Sequence, residues 1–265
     1  MKTNFLWLAC FLVTGFAAFV ISGAGGQEPD SPETRRKALE MERNFRGSIR
    51  DECVAGGNVL ALLFDYDGQD KRLVLHDIKA KKQVANIRLE NSDLHSLADA
   101  GKYLVFGHGR GHPQEKRDGQ ITILDAETGK VTGQVTITPT AKMPPRQLPL
   151  AISADGARLA WADDDVAVLY DVKAAKVLHR LEGHLDAVGA ITFSPNGDFL
   201  VTSAKDKTVR FWSTATGKFI HTIKKLPAAI SAIVLAPDGK RILTVSGDSR
   251  NPADVRGEIR NFDLK

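Results

Sequence analysis

The chain has little cysteine, no clustered charge and a single long apolar run, and each shortage removes a class of protein. Two cysteines, Cys10 and Cys53, occur in 265 residues. The first falls in an N-terminal targeting segment, so the mature chain keeps one thiol and no internal disulfide framework. Stability must then come from a hydrophobic core, and the roughly 240 remaining residues suffice for one large all-β domain. Cys53 ends an apolar-alternating strand, where a small buried hydrophobe is its default role. No basic neighbour in sequence lowers its pKa towards a reactive thiolate.

Charge is close to balanced. Lysine and arginine number 36 against 32 aspartates and glutamates, a net charge of +4. The charges are interspersed, whereas a nucleic-acid surface wants basic residues gathered on one face, so nucleic acid is not an expected partner. A Gly-x-Ser-x-Gly elbow, a Cys-x-x-Cys-His haem site and a glycine-rich phosphate loop are also missing. The chain therefore reads as non-enzymatic and without a cofactor or resident metal.

The one long apolar run, Phe5 to Ile21, follows Lys2 and precedes the small residues Ser22, Gly23 and Ala24. Residues 1–24 read as a signal peptide, which makes the protein exported, to the periplasm, the cell envelope or the outside. At seventeen residues the run is slightly short for a bilayer span, and an uncleaved anchor stays open. Beyond this segment no membrane contact is expected. Residues 25–37 form a polar linker, and 38–265 the folded domain. From Thr34 to Phe45 the reading divides between a solvated charged helix and a strand carrying Leu39, Met41 and Phe45.

What the chain does have is a repeat. From Gly183 to Ile223 four short apolar runs alternate with turn residues: Pro195-Asn196-Gly197, Lys205-Asp206-Lys207 and Thr214-Ala215-Thr216-Gly217. Runs this short, rich in Val, Ile, Phe and Thr, read as antiparallel hairpins. Gly183-His184 opens the stretch and Asp206-Lys207-Thr208-Val209-Arg210-Phe211-Trp212 ends it. In these residues the stretch resembles a WD40 repeat, with Ser213 where that family usually has Asp. The resemblance implies a four-stranded propeller blade held by a buried network of His184, Thr202 (or Ser203), Asp206 and Trp212. Such groups need partners when buried and supply one another.

The same period runs through the chain. The place of Trp212 recurs as His76, Leu124, Tyr170 and Phe262, each followed by Asp, at steps of 48, 46, 42 and 50 residues. The first-hairpin glycine recurs as Gly57, Gly101, Gly156, Gly197 and Gly239. Five blades follow, an all-β propeller of about five four-stranded antiparallel sheets. Ala38–Phe45, if a strand, would close the ring as the outer strand of blade five.

Three insertions interrupt the pattern: 107–119, 138–147 and 246–256. By blade topology all three lie on one face, which commonly marks the binding face of a repeat array. Candidate contacts there are His108, Arg110, His112, Lys116, Arg117, Lys142, Arg146, Arg250 and Arg256. Weaker metal readings attach to Asp65, Asp67 and Asp70, to His108 with His112, and to Asp163–Asp165; plain turns and a flexible contact loop account for the same residues. The expected function is a non-catalytic scaffold for a protein or peptide partner. The alternative is a propeller enzyme or metal-binding propeller with its site at the central channel.

Overall fold

The computed structural model describes residues 47–261, apart from 56, 67–69, 90–95, 110–118, 138–147, 225, 227, 237, 240 and 247–255. The expected signal peptide, linker and closing strand Ala38–Phe45 lie outside the described residues. Those described form strands and turns, without a helix.

Among the described residues, nineteen strands fall into five antiparallel sheets. Blade one is β1 (Gly47–Ala55), β2 (Val59–Tyr66), β3 (Asp70–Asp77) and β4 (Lys82–Leu89). Blade two is β5 (Ser96–Ala100), β6 (Tyr103–Gly109), β7 (Gly119–Asp125) and β8 (Val131–Ile137). Blade three is β9 (Leu150–Ile152), β10 (Arg158–Asp163), β11 (Val166–Asp171) and β12 (Lys176–Leu181). Blade four is β13 (Val188–Phe193), β14 (Phe199–Ala204), β15 (Val209–Ser213) and β16 (Phe219–Ile223). Blade five shows β17 (Ile230–Leu235), β18 (Arg241–Ser246) and β19 (Arg256–Asn261). Each sheet runs in chain order from the inner strand outwards. The first strands of successive blades pack on one another, β1 on β5, β5 on β9, β9 on β13 and β13 on β17, around a common axis.

Strand alternation explains how the blades hold together. Successive side chains point to opposite faces of a sheet, so each blade feeds two neighbours. In β6, Leu104 and Phe106 join the apolar layer shared with blade one, while Val105 joins the layer shared with blade three. In β14, Leu200 faces blade three and Val201 faces blade five. The core is thus a set of layers between blades, and Leu104, Val105, Leu200 and Val201 are fully buried. Removing one such leucine costs about 2–5 kcal/mol.

The repeat register is visible in the ladders. Counting three residues on from the first-hairpin glycine gives Leu60, Leu104, Leu159 and Leu200, which pair with His76, Leu124, Tyr170 and Trp212. A bulge lies immediately before each of those partners in the outer strand pair. The following Asp caps the third hairpin: the backbone N–H of Ala80, Thr128 and Ala174 donates to Asp77, Asp125 and Asp171 at 2.7, 2.9 and 2.7 Å. In blade four the Ser213 hydroxyl takes that place, accepting from the Thr216 N–H at 3.3 Å. A short side-chain acceptor is what the turn requires, and serine supplies one. The Ala80 N–H holds the Asp77 carboxyl below the usual carboxylate range, and the Thr128 hydroxyl and N–H do the same for Asp125.

Blade five departs from the expected register. Ile242 pairs with Arg260, two residues before Phe262. Positions two apart have the same parity in a strand pattern, so alternation in the sequence does not distinguish them, and Phe262 itself lies outside the described residues.

Candidate functional site

In a blade ordered this way, the hairpins joining second to third strands share a rim with the connections between blades. The opposite rim carries the first and third hairpins. The strand ends that flank all three insertions lie on the first rim, and the ladders shorten two of the insertions. His108 is a strand residue opposite Gln120, and pairing continues to Gly109 and Gly119. Arg256 opens β19 opposite Ser246. The insertions proper are therefore 110–118, 138–147 and 247–255. Arg110, His112, Lys116, Arg117, Lys142, Arg146 and Arg250 lie outside the described residues, as does Asp67.

The described part of this rim centres on blade four. The Trp212 indole N–H donates to the Thr202 hydroxyl at 2.9 Å, and that oxygen lies 2.8 Å from His184 Nε2. His184 Nδ1 is 2.9 Å from Asp206 Oδ2. Asp206 also accepts from the Leu185 N–H, at 3.0 Å, and from the Thr208 hydroxyl and N–H, at 2.7 and 3.0 Å. Strand parity decides between the two hydroxyls: Thr202 shares a face with Leu200 and meets Trp212, whereas Ser203 points the other way and donates to the Ile230 carbonyl of blade five at 3.4 Å.

His184, Thr202 and Trp212 are buried. Burial pushes the His184 imidazole below its usual range, against the opposing pull of Asp206. For Asp206, burial acts upwards, but the Leu185 N–H, the Thr208 hydroxyl and His184 outweigh it and hold the carboxyl low. The pair is thus a neutral imidazole beside a carboxylate. One consistent proton arrangement has Nδ1–H donating to Asp206 and Nε2 accepting from Thr202, whose oxygen accepts from Trp212. Every polar group in it finds a partner, as buried groups must.

The network also positions a surface residue. Leu185, next to His184 and bonded through its N–H to Asp206, is 87% exposed. It stands at the rim with exposed Asp164, Asp165, Glu182 and Asp186 from the neighbouring turns. Asp163, by contrast, is buried and bonded to Arg180 at 3.0 Å. Among the described residues no three His, Cys, Asp or Glu side chains converge as a metal site would need.

Blade four decides the relationship. Residues 175–213 match the family model described as WD domain, G-beta repeat. This chain carries a WD40 repeat. It is similar to an uncharacterised WD repeat-containing protein of Synechocystis, 33% identical over 151 residues, which cover 56% of this chain and 39% of the relative. It is also similar to COMPASS component SWD3 of Saccharomyces cerevisiae, 31% identical over 116 residues, covering 44% of this chain and 35% of the relative. Against these relatives the WD40 chain spans well under half of the full length. In three dimensions it resembles a chain of the Mitotic Checkpoint Complex, with TM-score 0.59, 17% identity and coverage of 82% of this chain and 64% of that one. The Dos1 propeller follows, with TM-score 0.58, 17% identity and coverage of 86% and 57%. The likeness shows the propeller fold.

The axis of the WD40 propeller, the central channel of the alternative reading, holds a second feature, whose residues the sequence did not single out. A cavity of about 430 Å³ is lined by residues of all five inner strands, from Cys53 on β1 to Ile233 on β17. It reaches Gly101, Ala154 and Pro195, residues of the first hairpins, and so lies towards the rim opposite the insertions. Asp99 on β5 is exposed to it. The protein atoms around the cavity desolvate this carboxyl and push it up to about 6. The signal in the sequence was a lone acid inside the apolar strand Leu97-Ala98-Asp99-Ala100.

Proposed function

We propose that this chain is an exported, non-catalytic WD40-type scaffold that binds a protein or peptide partner through the rim carrying the inter-blade connections. The observation that carries the reading is Leu185. An 87% exposed leucine is held in place by a hydrogen bond from its own backbone to a buried polar network, and a rigidly presented apolar side chain with a polar surround suits an interface core. The three insertions share that rim by topology. WD-repeat relatives and a neighbour taken from a multi-protein complex support a scaffold role. Export rests on the apolar run Phe5–Ile21 behind Lys2.

The test is affinity capture from native extract with the full chain and with Leu185→Glu as baits. The reading expects a discrete partner that the wild type retains and the variant loses, with both baits melting alike. The same partners at the same yield on both baits would overturn it.

A further inference from the structure

The axial cavity is independent of the Leu185 rim. Its volume, about 430 Å³, falls in the range of small-ligand sites, which are mostly apolar with a few placed polar groups. Its wall is mixed, with somewhat more polar than apolar exposed surface. Ala98, Ala100, Ala151, Ile191 and Ile233 supply apolar surface, and Thr192 and Ser194 bring hydroxyls. Among the described lining residues there is one carboxylate, Asp99, and no Lys, Arg or His.

That charge pattern selects the ligand. A divalent metal wants several oxygen ligands, and a single carboxylate does not provide them. A neutral ligand filling the cavity would strip water from Asp99 without offering a counter-charge, at a desolvation cost. An anion would be repelled. A monovalent organic cation on an apolar stem satisfies both halves of the site, its charge beside the carboxylate and its methylenes against the alanine and isoleucine surface. A primary ammonium presents three N–H donors to such a carboxylate. We propose that the axial cavity on the short-hairpin side, with Asp99 as its anion, is a binding site for an alkylammonium group, carried by a free amine or by a lysine side chain entering along the axis. Sequence position makes this side distinct from the partner rim: the cavity reaches the first hairpins, while Leu185 and the insertions lie at the other end of the blades.

The probes are n-butylammonium, N-acetyl-lysine methylamide and the uncharged n-butanol, titrated into the full chain by calorimetry. Asp99→Asn, nearly isosteric and exposed to the cavity, tests the charge. Ala154→Phe, at an exposed turn on the cavity wall, obstructs the mouth without touching the core. Saturable butylammonium binding at pH 8 is expected, at least tenfold weaker in either variant and for butanol. Binding should also weaken about tenfold at pH 5, because only that fraction of Asp99 remains ionised and competent. Binding of the lysine derivative as well assigns the site to lysine side chains; binding of butylammonium alone assigns it to free amines. No saturable binding by either, or equal binding by wild type and Asp99→Asn, overturns the proposal. Melting curves of both variants confirm that they are folded.

Discussion

Gly217, in the third hairpin of blade four, seats against the imidazole of His179 on the outer strand of blade three; a Cβ built on it would lie 2.5 Å from the ring. The residue has φ +69°, and so has two reasons to be glycine. Gly57 has the same kind of backbone, φ +68°, but a methyl added there would meet nothing within 4 Å. Gly57→Ala therefore isolates the backbone effect, roughly 1 kcal/mol. Gly217→Ala should cost about 1–3 kcal/mol more, through overpacking between blades. Urea denaturation of the pair measures the difference, and equal midpoints would show that His179 swings aside freely.

Trp212 and Leu124 occupy the same repeat position with different chemistry. Trp212→Ala should destabilise by roughly 3–5 kcal/mol, and Leu124→Ala by about 2–5 kcal/mol through packing alone. Thr202→Val separates the polar share. It keeps the shape, removes the oxygen between Trp212 and His184, and should cost about 1–3 kcal/mol by leaving the indole N–H buried and unpaired. A Thr202→Val protein as stable as wild type would mean that the network contributes no net stability.

Three groups shape the pH response beside the turn carboxylates Asp77, Asp125 and Asp155, which are lowered and act with the sign of Asp206. His184 is held below its usual value near 6.5, so the unfolded chain takes its proton first; stability is full above about 6.5 and declines as pH falls below it. Asp206 is held below 3.8, so its contribution is present above that value and is lost as pH falls beneath it. Asp99, raised to about 6 from 3.8, has the opposite sign: it disfavours the fold above pH 6 and relaxes as it protonates on the way down to 3.8. Asp99→Asn should therefore melt higher than wild type at pH 8, with the difference gone by pH 4. A melting temperature flat from pH 8 to pH 5 in the Asp99→Asn background would contradict a neutral, buried His184.

The insertion 110–118 is closed by a paired base, Gly109 opposite Gly119. Replacing those nine residues with Asn-Gly should leave the ladder and the melting temperature nearly unchanged, because loop length contributes little to stability. Under the proposed function it should weaken partner capture. Loss of folding would mean that the insertion packs on the propeller, and intact capture would move the contact to Leu185 and the remaining connections.

The propeller was legible because its register is written several times over. The hairpin glycine, the apolar residue three places on, and the Asp after the outer bulge recur together, and an error in one is checked by the others. Blade five shows the limit: the Asp after Phe262 marked that residue as the signature position, yet Ile242 pairs with Arg260, and strand parity accepts both positions alike. Leu185 was illegible for a related reason, since a leucine in a short connection reads as core until the backbone is seen to turn it outwards. Asp99 was visible as an oddity, but its meaning depends on five strands meeting at one axis, which no local pattern states.

The polar network of blade four has its four members between His184 and Trp212, in a single repeat. A copy of this segment made by duplication would arrive with these four groups already satisfied by one another, asking of its new neighbours an apolar face, a carbonyl for Ser203 and one for the Val188 N–H, which here bonds to Asp164 at 2.8 Å. A repeat held by packing alone, as around Leu124, must instead be refitted to whatever shape adjoins it. Blade four is in that sense the portable unit of the chain, and the most readily transplanted when propellers are lengthened or recombined.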